Sequence, residues 1–273
     1  MDNKERESEQ IQAEERSAPS GAIVYKAILK EGTDELRRPS SALFWSGLAA
    51  GLSMGFSLIA EGLLRTYLPE AGWQPLLAKM GYSVGFLIVI LGRQQLFTEN
   101  TLTPILPLLM RKDAKTFANV ARLWGIVLGA NLLGGLLVGW VCVKSSAFEP
   151  EVQSTFVEIG RETIHYGFAQ TVLRGIFAGW LLALMVWLLP FAESGRIWVI
   201  IIVTYLVGLG HFSHVVAGSI NAFALAAAGA ASWAKVLGVF VLAALLGNTL
   251  GGVTLVAALN HAQVVSGKKS EDV

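Results

Sequence analysis

Apolar runs broken by short polar intervals occupy the chain from about residue 41 to residue 259. A membrane-crossing helix needs about 20 apolar residues. The runs over 41–64, 117–143, 166–189 and 236–259 fit one crossing each. Two others, 75–110 and 197–229, are too long for a single helix and polar at their centres. The first contains Gly92-Arg-Gln-Gln-Leu-Phe-Thr-Glu-Asn100, followed by Pro104 and Pro107. The second sets His211 and His214 among Gly208, Gly210 and Gly218. Polar side chains facing lipid are costly. Backbone that leaves the helix at membrane depth is tolerated only where protein buries it or it lines a cavity. Each of these runs is therefore predicted to be two half-helices around a non-helical interval. The pattern predicts an all-α membrane protein with six transmembrane helices, the second and fifth interrupted.

The two halves echo each other. Each reads span, broken span, Asn- and Gly-rich span. Asn131-Leu-Leu-Gly-Gly135 matches Asn248-Thr-Leu-Gly-Gly252. Thr98 precedes Asn131 by 33 positions, and His214 precedes Asn248 by 34. An odd number of spans per half places the halves in opposite orientations. The result is an inverted 3+3 repeat whose interruptions meet near the bilayer midplane. Gly47, Gly51 and Gly55 form a small-residue stripe that permits close helix approach and is compatible with tight assembly. Glu61, near the far end of the first span, reads as interfacial, and Arg93 and Glu99 read as partners of each other.

Composition agrees with the pattern. The chain is 53% hydrophobic and 15% charged, against about a quarter charged in soluble domains. The single cysteine, Cys142, excludes an intrachain disulfide and CxxC chemistry. Residues 1–40 read as a polar head. Met1–Ser20 is expected to be disordered, and Met1–Arg16 has no apolar core of the kind a secretory signal needs. Ile23–Lys30 reads equally as a short amphipathic helix on the membrane or as a solvated leader, stopped at Arg37-Arg38-Pro39. Residues 41–260 form the transport domain, with 144–162 a polar linker within it, and 261–273 a polar tail. Arg37, Arg38, Arg111, Lys112, Lys115, Arg196, Lys268 and Lys269 fall on one side, and Arg65, Lys79, Lys144, Arg161 and Lys235 on the other. The positive-inside rule then places both termini in the cytoplasm.

Several motifs add a resemblance. They are Leu96-Phe97-Thr98, Arg174-Gly-Ile176, Val186-Trp187, Ser194-Gly-Arg196, His214-Val-Val-Ala217 and Gly247-Asn-x-x-Gly-Gly252. In order and spacing, from about residue 40 to residue 260, the chain resembles the formate/nitrite transporters. The resemblance implies an aquaporin-like fold assembled as a homopentamer in a bacterial inner membrane, with one pore per subunit. The cargo it implies is small monovalent anions such as formate, nitrite, hydrosulfide or lactate. His214 then looks like the central pore histidine, Thr98 its loop partner and Asn248 its sixth-span neighbour. Tyr82, Phe86 and Val207 look like one apolar constriction, and Leu96 and Phe97 like part of the other. The chain also departs from the family pattern. Ser213 stands where Glu is common and Gly218 where Asn is common. His211 is extra. Thr163-Ile-His165 stands where a lysine is expected.

A histidine midway through an apolar pore has two ways to help an anion that pays dearly to leave water. As imidazolium it attracts the anion; by giving up a proton it makes a neutral acid. Asn248 is expected to fix the ring and Thr98 to offer its hydroxyl. Half-helix N-termini add positive potential. The apolar constrictions exclude hydrated cations. His211 and His214 lack a third ligand for a metal. No cofactor and no nucleic-acid partner is implied; protons and the lipid bilayer are. Two other classes compete. A membrane enzyme lacks a nucleotide loop, metal cluster or nucleophile elbow here. A neutral-solute or ammonium-type channel would keep His214 uncharged.

Overall fold

The computed structural model describes residues 20–271. The leader expected to be disordered, Met1–Ser20, lies outside them but for Ser20. The described chain is all-helical: α1 (Gly21–Arg37), α2 (Ser40–Tyr67), α3 (Gln74–Leu91), α4 (Ile105–Arg111), α5 (Ala114–Lys144), α6 (Pro150–Thr163), α7 (Phe168–Leu188), α8 (Arg196–Leu209), α9 (Val215–Ala227) and α10 (Trp233–Val264). Helix continues past α10 to Glu271. Among the described residues, five helices are long and apolar enough to cross a membrane: α2, α3, α5, α7 with its short extension to Phe191, and α10. The run expected as the fifth span divides into α8 and α9, and neither half has the length of a crossing.

The two divisions share one backbone device. At the end of α3, the Gly92 N–H donates to Ile88 O and Gln94 N–H to Val89 O, with Arg93 between them at φ 53°. At the end of α8, the Gly210 N–H donates to Leu206 O and Phe212 N–H to Val207 O, with His211 at φ 49°. Each is a left-handed helix C-terminus that closes the last carbonyls and turns the chain back. The left-handed position usually goes to glycine. Arg93 and His211 hold it at a cost of about 1–2 kcal/mol.

Packing repeats the same symmetry. α2 lies along α5, and α7 lies along α10. Gly51 faces the carbonyl of Asn131 so closely that a Cβ has no room, and Gly179 faces the carbonyl of Asn248 in the same way. The glycine stripe of α2 is thus occupied within the chain, against α5, rather than left for assembly. Two wide π-helical segments, Val236–Val241 and Gly251–Ala258, interrupt α10.

Three expectations are corrected. The segment read as a short helix or solvated leader is one helix of 17 residues, with Val24, Tyr25, Ile28, Gly32 and Leu36 buried. It packs on α4, α5 and α7, and Arg122 ties its end by donating to the carbonyls of Leu36 and Arg38. The polar linker contains α6, which buries Val152, Phe156, Ile159 and Gly160 on one face against α9 and α2. Finally, Glu61 is not interfacial: it is 1% exposed and ion-paired.

Candidate functional site

The loop after each divided helix is held by one buried asparagine. Asn131 Nδ2 donates to Gly47 O (2.7 Å) and Gln95 O (2.9 Å), and its Oδ1 accepts from Phe97 N (2.9 Å). Asn248 Nδ2 donates to Gly175 O (2.9 Å) and Ser213 O (2.7 Å), and its Oδ1 accepts from Val215 N (2.8 Å). The constellation is the same in both halves, with Leu96 and His214 at the matching central positions. Each amide satisfies a loop carbonyl and an N–H that would otherwise be buried without partners, and it ties them to a carbonyl inside a neighbouring helix. Asn248 was expected to bond the histidine ring; instead it braces the peptide on either side of it. Asn131 both joins α5 to α2 and clamps the loop after α3.

The two clamped loops meet. Thr98 Oγ1 lies 2.8 Å from His214 Nε2, and both residues are buried. His214 is also the N-cap of α9, where its Nδ1 accepts from Ala217 N at 3.1 Å. A ring nitrogen that accepts carries no proton, so the neutral ring bears its hydrogen on Nε2 and donates it to Thr98 Oγ1. The threonine hydroxyl then keeps its own proton for another acceptor. An imidazolium would break the Ala217 bond. The first-turn donors of α9 at Val215 and Ala217 are taken by Asn248 and His214, so that helix end offers an anion less than the half-helix pattern implied.

Cavities approach this contact from opposite ends of the bundle. One, of about 440 Å³ including its open mouth, is lined by His214, Ser213 and His211 together with Tyr82 and Val207. The other, of about 1480 Å³ including open solvent, lies under α1 and is lined by Glu31, Glu35, Arg93, Gln95 and Glu99. Arg93 reaches Glu31 at 4.0 Å, and no Arg93–Glu99 ion pair forms among the described residues.

The expected constriction residues divide. Tyr82 and Val207 line the first cavity. Phe86 stands behind them, edge-on to the His214 ring at 5.1 Å. Leu96 and Phe97 are fully buried and line neither cavity; the Phe97 ring packs edge-on against Trp124 at 5.7 Å.

Sequence reading missed a charged cluster at the first cavity. Glu61 Oε1 accepts from Lys79 Nζ and from Arg65 Nη2, each at 2.7 Å. The same guanidinium grips both Glu162 oxygens, at 2.7 and 2.8 Å. Burial raises the Glu162 carboxyl, but the Arg65 hydrogen bonds and charge outweigh it and hold the group below its ordinary range. The two cations and two anions cancel. Lys79 sits beside Glu162 and Thr163 in the cavity wall, next to the place where the family lysine was expected. Periodicity carried no signal for this, since Glu61 and Lys79 come from different helices. The same holds for Arg174, whose guanidinium donates to Gly210 O at 3.0 Å and lies 3.8 Å from the Tyr166 ring centre, bracing the turn at His211.

The chain is similar to known proteins over nearly its whole length. It is 39% identical over 264 residues to the inner membrane protein YfdC of Escherichia coli (strain K12), covering 96% of this chain and 85% of that one. Its fold is similar to an FNT family ion channel, with TM-score 0.73 and 20% identity, covering 87% of this chain and 97% of the other. It is also similar to a pentameric formate channel with formate bound, with TM-score 0.69 and 18% identity, covering 83% and 98%. The family model described as formate/nitrite transporter matches residues 22–262. With five apolar helices of crossing length, this is an integral membrane protein, and it belongs to the formate/nitrite transporter family.

Proposed function

We propose that the chain is a channel or transporter for small monovalent anions of weak acids, formate and nitrite being the type. The observation that carries this is the Thr98–His214 contact, buried between two cavities where two divided helices meet. On this reading α3 with α4, and α8 with α9, are the second and fifth of six spans in an inverted 3+3 repeat. The paired asparagine clamps and the paired left-handed turns support it. Subunits assemble as a homopentamer, as the formate channel of similar fold is described, in a bacterial inner membrane, where the name of the Escherichia coli relative places that protein. Both termini face the cytoplasm, because α1 then lies on the lysine- and arginine-rich side.

The neutral tautomer of His214 favours passage of the cargo as its undissociated acid. Anion and proton meet in the first cavity, beside Lys79 and His211. The acid then crosses between Thr98 and the aromatic wall without leaving a bare charge in an apolar space. An ammonium has three donors; Glu61 takes one of Lys79's, leaving the others to face the cavity. Lys79→Gln is expected to raise the half-saturating formate concentration about tenfold, the worth of one charge-assisted hydrogen bond. The fold should survive, because Arg65 still pairs Glu61.

The test is uptake by the purified protein in liposomes at pH 5.5 and 7.5. Saturable formate or nitrite flux that rises with acidity is expected, by up to about a hundredfold if the undissociated acid limits the rate. Passage of glycerol or methylamine with no anion flux would leave the family and overturn this function.

A further inference from the structure

We infer that Phe240, seated against Gly218, sets the width of the cavity beside His214 and thereby the largest acid that passes. The inference rests on the transport reading above. Gly218 lies one turn into α9, its N–H donating to His214 O at 2.9 Å. The edge of the Phe240 ring occupies the space a side chain at 218 would need. Both residues line the same cavity as His214, and Phe240 is 2% exposed.

The backbone explains how the ring gets there. Phe240 lies in the π-helical segment Val236–Val241. A wide turn inserts an extra residue and re-aims the side chains that follow, and such turns recur at functional sites. In the wall of the same cavity, the Tyr82 ring packs on the bare backbone of Gly208. Two aromatic rings, each resting on a glycine, thus line the cavity that His214 also lines. Tyr82 was legible from the resemblance. Phe240 was not, because its position depends on the wide turn. The departure at Gly218 acquires a reason: an amide there and a phenyl ring at 240 exclude each other.

Such a wall selects by size. A pocket that discriminates one carbon unit from another does so by about 10- to 200-fold. Phe240→Ala is therefore expected to raise the lactate-to-formate flux ratio in liposomes by about tenfold or more. Phe240→Leu, which keeps an apolar filling, should raise it by less. Gly218→Asn should block both anions, and Phe240→Ala in the same chain should restore formate flux. Assembly of each variant is checked by size-exclusion chromatography. If Phe240→Ala does not assemble, Phe240→Leu and the Gly218→Asn pair decide the matter. A wild type that carries formate, with a flux ratio unmoved by either Phe240 variant or a freely conducting Gly218→Asn, overturns this inference alone. A wild type that carries no anion overturns the transport reading instead.

Discussion

In liposomes, the His214→Asn protein is expected to assemble normally and to lose formate flux on the order of a hundredfold, as when a single positioned donor is removed from a buried site. The asparagine Oδ1 takes the place of Nδ1 and keeps the bond from Ala217 N that caps α9. Asparagine is among the best N-cap residues, so this change should cost little stability. The shorter side chain does not reach Thr98, and that contact is lost. His214→Gln has the opposite effect: its amide nitrogen replaces Nε2, but the cap disappears at about 1 kcal/mol. His214→Ala loses both. If flux depends on the Thr98 contact, glutamine conducts better than asparagine although it is the less stable protein.

The same variants separate the two uses of the histidine. With a neutral ring, the wild-type pH profile follows the acidity of the cargo, differs between formate and weaker acids, and shows no common inflection. An inflection near pH 6.5, the ordinary histidine range, that is shared by all cargoes and absent from His214→Asn would restore the imidazolium as the attractor. The Nδ1 bond to Ala217 is the reason to expect the first result: charging the ring breaks the cap and sets a cation at the N-terminal end of α9.

Asn248→Leu is expected to be the most destabilising single change in the loop region. It leaves the carbonyl of Ser213 and the N–H of Val215 buried without partners, and it removes a second bond from the helical carbonyl of Gly175. At about 1–3 kcal/mol for each orphaned group, the loss is about 2–6 kcal/mol. The whole stability of a folded protein is about 5–15 kcal/mol. Asn131→Leu should behave alike, because it orphans Gln95 O and Phe97 N. Asn248→Asp keeps the Val215 bond but turns a carboxylate against two carbonyls, so it should rescue little. Thermal unfolding in detergent, together with elution of the assembled particle, measures both halves. Wild-type melting of Asn248→Leu would show that the loop is held by packing alone.

These expectations rest on positions of unequal legibility. The bounds of α2, α5 and α7 follow the apolar runs to within a few residues, because lipid imposes the same demand along each whole segment. Thr98, His214 and Asn248 were legible because an internal repeat and a motif resemblance both marked them. Their partners were not. The amphipathic spacing of Val152, Phe156, Ile159 and Gly160 announced α6, yet its polar outer face made the segment read as a linker.

By itself the sequence determined the membrane class, the two polar interruptions of apolar runs, and an echo between the two halves of the chain. Each is a local or periodic property: apolar length, polar residues at midspan, and spacings of 33 and 34 residues from loop to asparagine. Only the tertiary structure decided what those residues touch. It placed Asn248 on the backbone rather than on the histidine ring, and thereby left His214 to cap α9 and meet Thr98. It buried Glu61 between Lys79 and Arg65, a grouping drawn from two helices. It spent the glycines of α2 inside the chain and brought Phe240 onto Gly218 through a wide turn. Hydrogen-bond partners and steric fits are set at distances of a few ångströms between segments far apart in sequence, and a chain read in one dimension does not contain those distances.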